Sequence, residues 1–340
     1  MKIFDSFLFF QELELLEIRL KYLYSHVDYF IIFEASQTFS GHKKNFLFER
    51  ERDRFKRYSD KIIYYKLDNF HESYLSLEDY LIHSKNSVDL KILNFIQSHS
   101  HYPKNKLNWV LDAYHREALH HTYKLHVKNH DLILLSDLDE IPTLGFIENV
   151  KVKLSAPLNS AFYVAEQLEF KYFLNLKSDY PWYGTIAGLY IDISQISLNS
   201  LRIDSKSKRQ YVAKNAILNG GYHFTSCGGE KLLISKIDNW AHQEFNFPFL
   251  KRNLLKRVGA GYDAFGRTFK RSLHKIDIET TQLFDARFKK VISSYNHLLL
   301  KEFLRLNFID YLNIFLLYLI ILLRRLIGRI LRFLHEQKIT

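Results

Sequence analysis

The chain has 340 residues, 47% of them hydrophobic and 16% aromatic, with 12 Gly and 5 Pro. This is enough apolar material for a sizeable core and excludes a disordered or low-complexity chain; the length suits one large domain, or one with an appendage, better than two equal domains. Of 48 Lys and Arg and 37 Asp and Glu, residues 251–340 hold 18 and 7, so the whole excess of +11 lies in the last quarter.

Cys227 is the sole cysteine, which excludes an intramolecular disulfide and fits a reducing compartment. The opening Met-Lys-Ile-Phe-Asp-Ser-Phe has neither the basic start nor the apolar stretch of a secretory signal, so a cytoplasmic location is expected.

Apolar runs at residues 2–8 and 28–34 bracket a segment in which Leu13, Leu16, Leu20 and Leu23 recur at helical spacing, a strand–helix–strand unit. The charged stretch from Glu49 to Lys56 reads as a solvated helix, and a third apolar run covers 61–67. Residues 70–108 are polar without a clear period and are expected to form an insertion or lid. A helix is predicted from Trp109 to His126 and a fourth strand from Leu132 to Ser136. Strands alternating with helices imply an α/β fold, Rossmann-like, with a mostly parallel sheet and helices on both faces. Ligands of such sheets collect beyond the carboxyl ends of the strands, which singles out Asp5, Glu34, Asp68 and Asp137. Farther on, 142–152 reads as helix, 161–172 as a long strand and 199–215 as a polar, basic stretch. The Gly-rich stretches 219–221 and 228–229 then precede Trp240-Ala241-His242-Gln243-Glu244.

The acidic segment Asp137-Leu138-Asp139-Glu140-Ile141-Pro142 follows the fourth strand. In extended backbone, residues i and i+2 share a side roughly 7 Å apart, so Asp137 and Asp139 can face one ligand. A divalent Mn²⁺ or Mg²⁺ between those carboxylates and a diphosphate suits the geometry. The alternative is that Asp139 caps the helix beginning near Pro142. His223 and His242, both in the late Gly-rich half, are candidates for a further metal ligand, each against the reading of an ordinary hydrogen-bonded histidine among 16.

The run from Tyr311 to Leu323, interrupted only by Asn313, is 13 residues, short of the ~20 a spanning helix needs. Beyond it Arg325, Arg329 and Arg332 share one helical face, and Leu326, Ile330, Phe333 and Leu334 another. This is the pattern of an in-plane helix on an anionic membrane surface, and the division expected is a catalytic domain over 1–300 and a basic amphipathic tail over 301–340. The location that follows is peripheral, on the inner face of the cell membrane. A helix packed on the domain or in a dimer is the alternative. Nucleic acid is disfavoured as a partner, because aliphatic residues rather than exposed aromatics separate the charges.

Taken in order, Lys2-Ile3-Phe4-Asp5, the stretch from Glu12 to Leu20, Asp28 to Glu34, Thr38-Phe39-Ser40-Gly41, Arg116, Ser136 to Pro142, Trp182-Tyr183-Gly184-Thr185, Gly221-Tyr222-His223 and His242-Gln243-Glu244 resemble glycosyltransferase family 17. The resemblance runs from residue 2 to about residue 270. It implies a GT-A type fold and inverting transfer of a sugar, N-acetylglucosamine by analogy, from a UDP-sugar to a glycan or glycolipid acceptor with a divalent metal. By the same resemblance Asp137 and Asp139 meet metal and diphosphate, Glu140 lies near the donor sugar, Arg116 balances phosphate charge and Glu34 accepts hydrogen bonds from the uridine. Asp5 and Trp182 join the donor-binding set, Trp182 as a ring for stacking. An inverting reaction needs a carboxylate base, for which Glu244 and Glu230 are the candidates beside the two histidines. The chain departs from the family at Gly221-Tyr222-His223-Phe224-Thr225-Ser226-Cys227, where members commonly show Gly-Trp-His-Cys-Ser-x-Cys, so any role for paired cysteines is absent. Rival readings are a non-catalytic glycan- or membrane-binding protein on the same fold, and another metal-dependent nucleotidyl- or phosphotransferase; no P-loop is present.

Overall fold

The computed structural model describes residues 1–155, 161–207 and 215–336. Part of the basic stretch 199–215 lies outside the described residues, as do the side chains of Arg329, Arg332, Phe333 and Leu334.

The first strands are β1 (Ile3–Leu8), β2 (Tyr29–Ala35), β3 (Ile62–Leu67) and β4 (Leu132–Asp137). They pair in parallel in the order β3-β2-β1-β4, the open sheet that the alternation of apolar runs and helices implies. Beyond β4 the sheet becomes mixed. It continues through β7 (Leu176–Leu189), β6 (Phe162–Lys171), β8 (Ala216–Thr225) and β5 (Glu140–Pro142), and β9 (Leu273–Lys275) pairs with β7.

The central strands are apolar on both faces, as a doubly covered parallel sheet requires. Along β1, β2 and β4, Ile3, Phe7, Phe30, Ile32, Leu132 and Leu134 enter one core. The alternate residues Phe4, Ile31, Phe33, Ile133 and Leu135 enter the other. On the first face lie helices α1 (Leu13–Leu23) and, from much later in the chain, a helix at Ala286–Ile292, where Tyr22 meets Phe288 edge-on at 4.9 Å between centroids.

Three expectations change here. The stretch from Glu49 to Lys56 is not one solvated helix: a short helix α2 (Leu47–Arg50) and a 3-10 turn at Arg52–Tyr58 bury Phe48, Phe55 and Tyr58. Segment 70–108, read as lacking a period, folds into α3 (Tyr74–His83) and α4 (Ser87–Ser98), whose Leu77, Leu81, Ile92 and Ile96 complete the second core. The helix expected over 109–126 is divided at Ala118 into α5 (Leu107–Glu117) and α6 (Leu119–His126).

Then come α7 (Leu144–Leu154), α8 (Tyr190–Ile193), α9 (Leu198–Ser207) and α10 (Glu230–Asn239). A third apolar cluster gathers α11 (Pro248–Lys251), α12 (Leu254–Gly259) and one face of the terminal helix, counted here as α14 after α13 (Ala286–Ile292). Helix α14 (Phe308–Glu336) is longer than the 13-residue run suggested, and its stretch Phe308–Gly328 is long and apolar enough to cross a membrane by length and composition.

Candidate active site

A cavity of about 340 Å³ opens at the carboxyl ends of β1, β2 and β4. Its lining includes Asp137, Asp139, Arg116, Trp182, His223 and His242, drawn from five separate stretches of the sequence.

The acidic segment owes its position to a guanidinium buried beneath it. Arg19 of α1 is fully buried, lies 4.5 Å over the Phe7 ring and holds Asp5 in a two-pronged ion pair at 2.6 and 2.7 Å. Its remaining N–H groups donate to the carbonyls of Asp137, Leu138 and Glu140 at 2.8–3.0 Å and to Ser136 Oγ. Asp5 therefore does not reach a donor: it anchors the arginine that fixes the backbone of the acidic turn. Asp139 is not a helix cap either, because Thr143 takes that place, its hydroxyl accepting from the N–H of Phe146.

Directly after the turn, β5 pairs antiparallel with β8, setting Glu140 opposite His223, while the N–H of Phe224 donates to the carbonyl of Asp139. This pairing brings a histidine more than 80 residues away to the acidic turn, with His223 Nε2 3.7 Å from Asp139 Oδ1. The Trp182 ring stacks on His223 at 4.4 Å between centroids, and its indole N–H donates to Glu140 at 2.8 Å. Glu140 also accepts from the N–H of Asp137 at 3.1 Å; it is buried and does not line the cavity.

Gly228 and Gly229 both have positive φ, and through them the chain reverses from β8 into α10, carrying Lys236 to Asp139 at 3.1 Å. Burial works against the Lys236 charge, but Asp139 and Glu12 outweigh it and raise its pKa, so the ammonium persists. Asp137 is held by two arginines, Arg116 from the last turn of α5 at 2.8 Å and Arg202 of α9. Within its own helix Arg116 pairs with Asp112 at 3.3 Å and not with Glu117, which accepts from Ser197 and from the N–H groups of Leu198 and Asn199 at the start of α9.

Other sequence candidates lie elsewhere. Glu34 is fully buried and satisfied by Lys44, Tyr64 and the N–H groups of Leu47 and Phe48, so it caps α2 and does not line the cavity. Asp68 is exposed and outside the lining. His242 lies on the cavity wall between the rings of Trp109 and Trp240, its Nδ1 2.8 Å from Glu244. Glu244 is exposed and committed to that histidine, and Glu230 is at the start of α10; neither lines the cavity.

Sequence reasoning missed Arg19, Arg202, Lys236, Glu12, Asp112 and His115. Arg202 lies in the stretch recognised only as basic, and Arg19 was legible as a charge on the apolar face of α1. His115 lines the cavity, and burial, assisted by His71, Lys44 and Arg116, lowers its pKa to about 3, so it is a neutral imidazole there.

Among the described residues the lining carries four cations, Lys44, Arg116, Arg202 and Lys236, against four carboxylates, Glu12, Asp112, Asp137 and Asp139. The lining therefore has no surplus positive charge to offer a diphosphate. No three His, Cys, Asp or Glu side chains converge as a closed metal site among the described residues. Asp139 and His223 are nonetheless close enough to reach one ion together, since two bonds of about 2.1 Å span more than their separation. Such an ion typically keeps waters and takes its other ligands from substrate phosphates, so these residues fit it as a substrate-completed site.

Residues 1–88 match the family model of glycosyltransferase family 17. The match spans 88 of the 340 residues, from β1 to α3, and includes Asp5, Arg19 and Glu34. The acidic turn lies beyond the matched segment, so its assignment rests on the geometry above. Among curated proteins none matches the chain.

Proposed function

We propose that the chain is an inverting GT-A type glycosyltransferase that moves a sugar, N-acetylglucosamine by family analogy, from a UDP-sugar to a glycan or glycolipid acceptor. The observation that carries this reading is the cavity in which Asp137, Asp139, Arg116, Trp182 and His223 meet at the carboxyl ends of the parallel strands.

In the proposed mechanism Arg116, Arg202 and Lys236 face the diphosphate, exchanging part of their hold on Asp137 and Asp139 for phosphate oxygens; the planar fork of arginine suits that geometry. Asp139 and His223 would hold a Mn²⁺ or Mg²⁺, which when bound supplies the positive charge that the balanced lining lacks and neutralises the departing nucleotide diphosphate. Trp182, fixed by Glu140 and by its stack on His223, offers an aromatic face for a sugar ring. Inversion requires a carboxylate to take the proton of the attacking hydroxyl. Of the cavity carboxylates, Asp137 and Asp139 are assigned to the diphosphate side; the remaining candidates are Glu12, 3.8 Å from Lys236, and Asp112, 3.3 Å from Arg116. Replacing the base, by Glu12→Gln or Asp112→Asn, is expected to lower kcat by about 10²–10⁴ while donor binding persists.

The test is turnover across a panel of UDP-, GDP- and CMP-sugars with and without Mn²⁺. Metal-dependent turnover of one UDP-sugar supports the reading, and turnover confined to a GDP- or CMP-sugar contradicts it.

A further inference from the structure

The terminal helix α14 has two unlike faces. At about 100° per residue, Ile314, Leu317 and Ile321 form one stripe; all three are buried, and Leu317 and Ile321 belong to the third core cluster. The stripe is fitted closely: a Cβ on Gly266 would lie 2.6 Å from Leu317, and Asp310 pairs with Lys256 at 2.5 Å. On the opposite side Phe308, Leu312, Leu323, Leu326, Ile327 and Ile330 are all exposed, by 45–81%. An apolar strip of this length on an otherwise charged surface marks a partner site.

Charge decides which partner. Residues 251–340 carry 18 Lys and Arg against 7 Asp and Glu. Phe269 packs against Phe315 at 5.3 Å between centroids, which sets the exposed Lys270 and Arg271 beside the helix, and Arg325 is exposed on the helix itself. A second copy would oppose cations to cations along this strip, whereas an anionic lipid surface takes both the apolar residues and the charge.

We propose that α14 docks the protein in the plane of an anionic lipid bilayer through the face opposite Ile314, Leu317 and Ile321. Because the buried stripe stays on the domain, the helix lies along the interface rather than crossing it. It is also fastened to the cavity wall: Arg324 donates to the carbonyl of Glu244 at 3.0 Å and lies 3.9 Å over the Phe247 ring, in the loop whose Trp240, Ala241 and His242 line the cavity. Docking therefore sets that wall beside the bilayer. The inference does not depend on the chemistry proposed for the cavity.

The test is co-sedimentation of the full chain with phosphatidylcholine vesicles that contain or lack phosphatidylglycerol, at low and high salt. The expected result is binding to the anionic vesicles, weakened by salt, and a loss of about tenfold or more in the double variant Leu326→Ser, Ile327→Ser. Both positions are exposed, so the variant is expected to melt as the unaltered protein does. Absence of sedimentation, or equal sedimentation of the variant, overturns the proposal. So does a dimer in vesicle-free buffer that the same variant dissociates, since the face would then belong to a second copy.

Discussion

A buried guanidinium is tolerated only when its donors are matched, and Arg19 is matched by Asp5, Ser136 Oγ and three backbone carbonyls of the acidic turn. In Arg19→Leu the Asp5 carboxylate stays buried without its partner and the turn loses its anchor. The expected cost is about 3–5 kcal/mol, read as a lower urea midpoint, because breaking one side of a buried pair strands the other charge. The sequence singled out Asp5 as a strand-end carboxylate, whereas it lies inside β1, opposite Phe30 and Leu134; its partner was not legible, since periodicity marks which side chains point inward but not which of them meet. His120 gives a pH dependence. Burial, only partly offset by Glu117, lowers its pKa from 6.5 to about 4. Between those two values the unfolded chain binds a proton that the folded chain does not, so stability falls as pH falls across that window. Thermal melts are expected to show a shallower acid limb in His120→Gln than in the unaltered protein.

Among the elements, the pairing of β5 with β8 does most to assemble the cavity. It depends on Gly221, where an added Cβ would stand 2.6 Å from the carbonyl oxygen of Ile141 and 2.7 Å from Gln167. Gly221→Ala is expected to force the strands apart and shift His223 from Asp139, lowering stability by about 1–3 kcal/mol and weakening Mn²⁺-dependent nucleotide binding. Melting measured alongside UDP titration checks both effects. The sequence marked the Gly-rich stretch as unusual, yet it gave no indication that a three-residue strand at 140–142 would pair there, because strand pairing is set by tertiary register rather than by local pattern. Short amphipathic helices were hidden for a similar reason: α3 and α4 are 10 and 12 residues long and leave few turns for a period to show. The four parallel strands were legible because each carries a run of apolar residues; β1, β2 and β4 are buried on both faces, and β3 is the half-buried edge.

At the scale of the molecule, the parallel half of the sheet supplies the acidic turn, and the mixed half, with α9 and α10, supplies the histidine and two of the cations that answer it. The cavity is thus a junction between segments distant in the chain. That explains why Asp137, Asp139 and Arg116 could be proposed from the ordered motifs, whereas Arg202 and Lys236 could not. The balance of cations and carboxylates in the lining makes a definite demand on any diphosphate ligand, which must bring a counter-ion or displace the internal pairs. Calorimetric titration of UDP with Mn²⁺ or with a chelator, into the unaltered protein and into Asp139→Asn and Arg116→Ala, measures this directly. The account predicts UDP binding tightened by Mn²⁺, loss of that tightening in Asp139→Asn and weaker binding under both conditions in Arg116→Ala; equal affinity in all three proteins would contradict it.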